Sequence, residues 1–141
     1  MNTWIFQGNP SYYAIRAAVR ELKEIAWRTN QYKDRIQRGD RVYIWESGPE
    51  GGIVAVANVL DSPSLLRGQP EEYKFVLNGD MLPDEVFRAR LGIAHVVDPT
   101  LTRKQLRTYP SLVNLDILRR PNATNFPVAD EEALIIAQLL K

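Results

Sequence analysis

Polar residues that can hydrogen bond to a flat ligand occur at three places in the chain, and at two of these places they follow a tryptophan that could stack on such a ligand. The segments QGN (residues 7–9), WRTN (residues 27–30) and WES (residues 45–47) each end a predicted strand. Aromatic side chains stack on the face of a nucleobase, and amide or hydroxyl groups bind its edge. In a small curved sheet, the ends of neighbouring strands can meet at one rim. The pattern therefore predicts a pocket suited to a base removed from its stack.

Each of these residues also has a purely structural interpretation. Trp27 and Trp45 end short apolar runs, where a core position and a site position fit the sequence equally well. Asn9 precedes Pro10, and asparagine is a common turn residue in that context. Spacing alone therefore leaves the role of Trp27 open between the core and the site.

Residues for catalysis or metal binding are sparse. The chain has no cysteine and one histidine, which excludes disulfides, thiolate metal sites and multi-histidine metal sites. His95 lies in an apolar strand-like run, and the sequence places no serine and carboxylate around it. The glycine-rich segment 48–52 lacks the Lys-Ser/Thr signature of a phosphate-binding loop. We therefore expect a protein that is not an enzyme and uses no cofactor.

The charged residues are unevenly distributed, although the net charge is only +1. Residues 16–41 contain eight Lys/Arg against four Asp/Glu, and residues 103–120 contain five against one. Two such segments can form a positive face for a polyanion, or they can be ordinary solvated surface. The candidates for phosphate contacts are Lys33, Arg35, Arg38, Arg103 and Lys104.

Apolar and β-branched runs predict the strands that would position these residues. They cover residues 3–7, 24–28, 41–46, 52–60, 71–77 and 85–97, with a bend at Gly92 and a hairpin loop at 47–51. Helical spacing predicts a helix from Tyr12 to Leu22 with Ser11 as its N-cap. The sequence TRKQ at 102–105 fits a capping box, which opens a short helix that ends near Pro110.

The remaining segments complete the predicted order of elements. Asp130 is predicted to cap a last helix, and residues 61–70 and 119–127 are predicted to be a loop and a turn-rich connector. Strands that are followed by helices, without βαβ alternation, favour the α+β class: a curved, partly closed mixed sheet with helices at its sides.

Chain length and composition indicate the number of domains and the location of the protein. A chain of 141 residues that is 45% hydrophobic predicts one domain over residues 1–141. No apolar run approaches the roughly 20 residues of a membrane span, and the N-terminus lacks the features of a secretion signal. We therefore expect a cytoplasmic protein with no membrane contact.

The chain resembles the EVE domain, a member of the PUA-like superfamily that is related to YTH domains. The resemblance runs through WIFQGNP (4–10), WRTN (27–30), GDRVYIWESG (39–48), GIVAVA (52–57) and TNFPV (124–128). It covers most of the chain, but residues 61–84 contribute little. It implies a PUA-like small curved or closed β-barrel of about five to six strands with flanking α-helices.

The resemblance also implies an aromatic cage that holds one base. The family's cage tryptophan falls on Trp27, and its base-contacting asparagine falls on Asn9. The residues that follow the cage tryptophan fall on Arg28, Thr29 and Asn30. The complete predicted base-binding set is Asn9, Trp27, Arg28, Thr29, Asn30, Trp45 and Ser47. The second cage wall is open between Trp45, Tyr32, Tyr12 and Phe126.

Two functions from different classes follow. The first is a non-enzymatic module that binds DNA or RNA and takes up one flipped, modified base. The resemblance implies that this base is methylated or hydroxymethylated cytosine, or methyladenine as in the YTH relatives. Any cleavage would then come from a partner nuclease or restriction ATPase. The alternative is an accessory protein-interaction module whose pocket binds a small ligand or peptide. The basic segments favour the first, because such a pocket has no need of them.

Overall fold

A computed structural model describes residues 1–78 and 82–141, and its central feature is one curled β-sheet. The described strands are β1 (Thr3–Gly8), β2 (Glu24–Arg28), β3 (Arg41–Glu46), β4 (Gly52–Val59), β5 (Ser64–Leu66), β6 (Val86–Thr102) and β7 (Asn125–Val128). They form seven strands in the order β2-β6-β4-β3-β1-β7, with β5 paired to β6. β1 and β3 are parallel, and the other pairs are antiparallel. The sheet is a half-barrel.

Short helices flank the sheet. They are α1 (Ile15–Glu21), α2 (Arg103–Arg107), α3 (Asp116–Arg119) and α4 (Asp130–Leu139), with 3₁₀-helices at Pro70–Phe75 and Pro110–Leu112. None of the helices in the described ranges has the length and apolar character needed to cross a membrane. The predicted α+β class, a small curved barrel-like sheet with flanking helices, is confirmed.

Two hydrophobic clusters divide the side chains of the sheet. One, here called the α1-side core, contains Trp4, Phe6, Trp27 and Ile44 together with apolar residues of α1. The other, here called the C-terminal core, gathers side chains from the sheet and from the C-terminal helices. Its members include Tyr43, Trp45, Ile53, Leu106, Phe126 and Ile136. Because successive strand residues point to opposite faces, neighbours in β1 and β3 belong to different clusters.

The two edge strands, β2 and β7, are linked by side-chain amides at one end of the sheet. Asn125 Nδ2 donates to the carbonyl of Arg28 at 3.0 Å, and its Oδ1 accepts from the Gln31 N–H at 3.2 Å. Gln31 Oε1 in turn accepts from the N–H groups of Thr124 and Asn125, each at 3.0 Å. Asn30 Nδ2 donates to Thr124 Oγ1 at 2.8 Å. We call this set the amide link; it joins the sheet edges by side chains.

The predicted strands at 3–7, 24–28, 41–46 and 52–60 are confirmed, as are the hairpin loop and the capping box. In the capping box, the Thr102 N–H donates to Gln105 Oε1 at 2.8 Å and the Gln105 N–H donates to Thr102 Oγ1 at 3.1 Å. The helix that it opens ends at Arg107, before Pro110 as predicted. The strand predicted at 85–97 is longer, and it runs to Thr102.

The strand predicted at 71–77 is wrong, because Pro70–Phe75 is a 3₁₀-helix. Proline at the first helical position, followed by two glutamates, favours a helix start over a strand. The strand count still rises to seven, because β5 lies within the predicted loop 61–70 and β7 begins within the predicted connector 119–127 and ends one residue after it. Both are short, and each exists through pairing with a distant strand.

Two predicted helix starts are also corrected. Ser11 is not an N-cap, since its N–H donates to Asn9 Oδ1 at 2.9 Å and the Asn9 carbonyl accepts from Tyr12 and Tyr13. The resulting turn delays α1 until Ile15. At the C-terminus, the N-cap of α4 is Ala129, one residue before the predicted Asp130, and its N–H donates to Glu132 Oε1 at 3.0 Å.

Candidate functional site

A cavity of about 520 Å³ opens beside the ends of β1 and β2. Its walls come from residues 7–9 and 25–28 of these strand ends, from the 121–124 segment before β7, and from side chains that precede α1. Sites for small ligands typically have volumes of about 300–1,000 Å³. The cavity is therefore large enough to hold a ligand of nucleobase or nucleoside size.

Trp27 forms a fixed wall of this cavity. It belongs to the α1-side core and is 8% exposed. A Cβ atom placed on Gly8 would lie 3.0 Å from Trp27 Cζ2 and 2.8 Å from Ile15 Cδ1. The end of β1 can thus approach the indole only because residue 8 has no side chain. Tyr12, which is half exposed, also lines the cavity.

The cavity floor contains a buried carboxylate, Glu72, which is 1% exposed. Its Oε1 accepts from the Tyr13 hydroxyl at 3.1 Å, and its Oε2 accepts from the N–H groups of Ala26 at 3.1 Å and Gln69 at 3.0 Å. Burial raises the pKa of Glu72, and these hydrogen bonds partly oppose that change. Burial and the nearby Glu72 charge raise the pKa of Tyr13, so its hydroxyl remains a neutral donor.

Arg88, which also lines the cavity, ties this floor to the neighbouring backbone. Its Nε donates to the Leu66 carbonyl at 3.0 Å, and its two Nη atoms lie 3.5 Å from the Ala26 carbonyl and 3.4 Å from that of Asp84. Burial, followed by the charge of Arg28, lowers the pKa of Arg88. Within the described ranges, no group of three His, Cys, Asp or Glu side chains is placed to hold a metal ion.

Five of the seven predicted base-binding residues line the cavity: Asn9, Trp27, Arg28, Asn30 and Ser47. The Ser47 N–H donates to the Gly8 carbonyl at 2.9 Å, which brings the end of β3 to the rim. The Nε of Arg28 is buried and has no hydrogen-bond partner among the described residues. The same side chain makes a 3.6 Å ion pair with Asp84.

The other two predicted residues lie elsewhere. Thr29 is buried, its N–H donates to the Phe87 carbonyl at 2.9 Å, and it does not line the cavity. Trp45 is fully buried in the C-terminal core. It follows Ile44, which faces the α1-side core, so strand alternation turns the indole of Trp45 to the opposite face. Of the four candidates for a second aromatic wall, Tyr12 lines the cavity and Trp45, Tyr32 and Phe126 do not.

The first group of predicted phosphate contacts lies in the turn that follows β2. Lys33 Nζ lies 3.9 Å from the centroid of the Phe87 ring. The guanidinium carbon of Arg35 lies 5.5 Å from the ring centroid of Tyr32 and 5.9 Å from that of Trp4. Arg38 is exposed in the same turn. These basic residues therefore lie in the turn that follows the end of β2, which lines the cavity.

The second group of predicted phosphate contacts lies on α2. Arg103 begins α2, and its guanidinium carbon lies 5.9 Å from the ring centroid of Trp45, the tryptophan of the C-terminal core. Lys104 is exposed on the same helix. The basic residues of the two segments thus lie beside tryptophans of different cores, Trp4 and Trp45, and their contacts to phosphates stay predictions.

Sequence reasoning missed the floor of the cavity, namely Tyr13, Glu72 and Arg88. Glu72 lay in the segment predicted as a strand. The signal that could have found it is the proline at position 70 with acids directly behind it, a typical helix start. Arg88 could have been noticed as a charged residue between two apolar ones, Phe87 and Ala89, in a predicted strand.

The sequence profile of the EVE domain matches residues 2–139. The chain belongs to the EVE domain family. A comparison with curated protein sequences finds no match.

Solved structures with the same fold include three that cover nearly the whole of this EVE domain. A hypothetical protein from Leishmania major has a TM-score of 0.73 at 14% identity, with 99% of this chain and 94% of that one covered. A protein from Pseudomonas putida has a TM-score of 0.71 at 18% identity, with 99% of both chains covered. Human THYN1, in complex with DNA that contains 5-methylcytosine, has a TM-score of 0.71 at 10% identity, with 100% and 98% covered. At these identities the likeness establishes the fold.

Proposed function

We propose that this EVE domain is a non-enzymatic nucleic-acid-binding module that takes one flipped, modified base into the cavity beside Trp27. The observation that carries the proposal is the cavity itself, which combines an indole wall with amide, hydroxyl and guanidinium groups. Bases that are held outside a stack need this combination of a flat apolar face and edge hydrogen bonds. The complex of the structurally similar THYN1 with DNA containing 5-methylcytosine supports the choice of a modified base.

The aromatic side chains divide the stacking role. Trp27 is fixed by its packing against Gly8 and contributes the inner wall. Tyr12 is 50% exposed and contributes the mouth of the cavity. We infer that the base enters past Tyr12 and packs against the part of the indole that borders the cavity. Stacking one base is typically worth about 1–3 kcal/mol.

Basic residues near the cavity supply the contacts to the backbone of the nucleic acid. Arg28 lines the cavity, and its guanidinium also makes a 3.6 Å ion pair with Asp84. Lys33, Arg35 and Arg38 follow in the next turn and are exposed. Contacts to phosphates release counterions, so the affinity should fall as salt increases.

Binding of short oligonucleotides that differ in one central base tests the proposal. Tyr12→Ala should weaken binding by roughly five- to hundredfold, the equivalent of one stacked base. Tyr109→Ala is the matched control, because Tyr109 is 38% exposed but does not line the cavity. Equal affinities for the two variants would contradict the role of the cavity.

Trp27→Ala tests the inner wall. We expect it to abolish the discrimination between modified and plain oligonucleotides, because the indole is the rigid surface against which a base is positioned. Circular dichroism should confirm that the variant is folded. Full selectivity in a folded variant would show that the base binds elsewhere.

A titration at two salt concentrations separates this function from the alternative, an accessory protein-interaction module whose pocket takes a small ligand or peptide. Binding that is tight at low salt and weak at high salt supports a nucleic-acid ligand. Absence of binding at low salt, with every modification tried, favours the alternative.

A further inference from the structure

The carboxylate of Glu72 is the feature of the cavity that stacking does not explain. A buried charge is costly unless it is hydrogen bonded, and Glu72 is 1% exposed at the floor of a cavity large enough for a base. Its neighbour Glu71, one residue earlier on the same 3₁₀-helix, is exposed. The burial of Glu72 thus places a hydrogen-bond acceptor at the inner end of the cavity.

The hydrogen bonds of Glu72 leave part of one oxygen for a ligand. A carboxylate offers about four lone-pair positions, two on each oxygen. Both positions on Oε2 are used by the N–H groups of Ala26 and Gln69. Oε1 accepts from the Tyr13 hydroxyl, which fills one of its two positions. The orientation of the carboxylate is therefore fixed by three donors, and among residues 1–78 and 82–141 no second donor occupies Oε1.

The outer edge of β2 places a backbone donor beside the same cavity. The backbone hydrogen bonds of Lys23 and Thr29 show that the N–H and C=O groups of odd-numbered residues in this segment point toward β6. The N–H and C=O groups of even-numbered residues therefore point away from β6, as the hydrogen bond from the Ala26 N–H to Glu72 demonstrates. The N–H of Arg28, a cavity-lining residue, lies on this outer edge. The residues that line the cavity thus include a carboxylate acceptor, Glu72, and a strand-edge residue with an outward backbone N–H, Arg28.

We propose that Glu72 is a specificity-determining residue that selects a base whose Watson–Crick edge carries an exocyclic amino group next to an unprotonated ring nitrogen. This inference rests on the proposed function, because it concerns which base that cavity accepts. Cytosine and adenine share this edge: the amino group donates to Glu72 Oε1, and the ring nitrogen accepts from a donor such as the Arg28 N–H.

The other bases fit this arrangement less well. Thymine and uracil present a carbonyl oxygen where cytosine has its amino group, so the carbonyl would face the Glu72 carboxylate without a donor between them. Guanine presents two adjacent N–H donors that suit both oxygens of a carboxylate. Here Oε2 is already occupied by Ala26 and Gln69. A site built around a buried polar group rejects ligands that leave it unpaired.

The pair of 5-methylcytosine and thymine provides a matched test. Both carry a methyl group at position 5, and they differ in the amino or carbonyl group and in the proton on the ring nitrogen. Single-stranded oligonucleotides with one of these bases at the centre should differ by at least about tenfold in affinity for the wild-type protein, with 5-methylcytosine preferred. A third oligonucleotide with adenine at the centre distinguishes a pyrimidine site from one that also accepts a purine.

Glu72→Gln tests the residue directly. The backbone donors of Ala26 and Gln69 hold the amide oxygen on their side, which turns the amide NH₂ toward the position of Oε1. The acceptor in the cavity becomes a donor, so the preference for 5-methylcytosine over thymine should be lost or reversed. Glu71→Gln removes the same charge from an exposed neighbour and should leave the preference unchanged.

The outcomes separate this inference from the proposed function. Equal wild-type affinities for 5-methylcytosine and thymine, with binding still weakened by Tyr12→Ala, would overturn the role of Glu72 and leave base binding intact. A folded Glu72→Gln protein that keeps the wild-type preference would overturn it as well. Absence of binding to every oligonucleotide would overturn both. If Glu72→Gln does not fold, the wild-type ratio still tests the proposal, because equal affinities for the two bases would overturn it.

Discussion

Trp27 and Trp45 occupy similar places in the sequence and different places in the molecule. Each lies at or next to the end of a strand, β2 or β3, and polar residues follow it. Trp45 is fully buried in the C-terminal core, against side chains that include Ile53 and Leu106. Trp27 is packed in the α1-side core, but it also borders the cavity. One tryptophan is covered by helices, while the other faces an open region next to a sheet edge.

The difference shows where a curled sheet creates a binding site. β2 and β7 end the strand order, and the amide link joins them at one end through side chains such as Asn125 and Gln31. Away from this link, the outer edge of β2 borders the cavity and bonds to Glu72. A closed ring of strands would leave no such edge. The incomplete closure of the barrel thus provides both the space and the polar groups of the candidate site.

Trp45→Ala should have the largest effect on stability. The substitution removes a fully buried indole from the C-terminal core, which typically costs about 3–5 kcal/mol. Trp27→Ala should cost less, because one side of that indole already borders the cavity and therefore has fewer packing contacts to lose. Urea unfolding of the two variants measures the difference. A smaller loss for Trp45→Ala than for Trp27→Ala would contradict the contrast between the two faces.

Gly8→Ala should lower both the stability of the protein and its affinity for oligonucleotides. The new methyl group would lie 2.8 Å from Ile15 Cδ1, which must move, and 3.0 Å from Trp27 Cζ2, so the indole must give way by a few tenths of an ångström. Overpacking of this kind costs about 1–3 kcal/mol, and the displaced wall should also weaken oligonucleotide binding. Urea unfolding and binding titrations measure the two effects.

Gly92→Ala is the control for this prediction. Its added Cβ would lie 3.1 Å from Leu60 Cδ2, the end of a flexible side chain, and neither residue lines the cavity. This variant should bind oligonucleotides as the wild type does. Equal binding by Gly8→Ala and Gly92→Ala would show that the contact between β1 and Trp27 does not shape the site.

Local patterns were enough to predict most of the fold. The alternation of apolar residues and the turn residues between them located the first four strands, and TRKQ located α2 with its cap. β5 and β7 were missed because three or four residues contain too little periodicity to reveal a strand. Their existence depends on pairing with β6 and β1, which are distant in the chain.

The site could be predicted only in part, for a similar reason. Asn9 and Trp27 were found at strand ends, and both line the cavity. Whether a strand-end tryptophan is covered depends on which helices pack over that face, so Trp45 could not be distinguished from Trp27 locally. Glu72 bonds to Ala26, 46 residues away. Nothing near either residue in the sequence reveals that contact.

The pH dependence of stability should distinguish Glu72 from the exposed Glu71. Burial raises the pKa of Glu72 above its ordinary value of 4.5, so the folded chain holds more protons than the unfolded chain in the window above that value. The contribution of Glu72 to the free energy of unfolding therefore falls as the pH rises through this window. Tyr13 and Arg88, the neighbouring titratable groups, remain neutral and charged there.

Urea unfolding at pH 5 and pH 8 measures this effect. The wild type and Glu71→Gln should lose more stability between these pH values than Glu72→Gln, which has no proton to release at this position. An identical pH dependence in all three proteins would show that the buried carboxylate titrates normally.

The smallest expected effect concerns the two basic segments. Lys33 lies in the turn after β2, and Lys104 lies on α2, which packs against the C-terminal core. If the nucleic acid crosses the cavity, Lys33→Gln should reduce the slope of log affinity against log salt by about 0.7–0.9, the value for one lost phosphate contact. Lys104→Gln, which removes the same charge from the other region, should leave the slope unchanged.

Titrations at four or more salt concentrations would measure the slopes of Lys33→Gln and Lys104→Gln. A reduced slope for Lys104→Gln alone would place the nucleic acid beside Trp45 and α2, and would reverse the roles assigned to the two tryptophans.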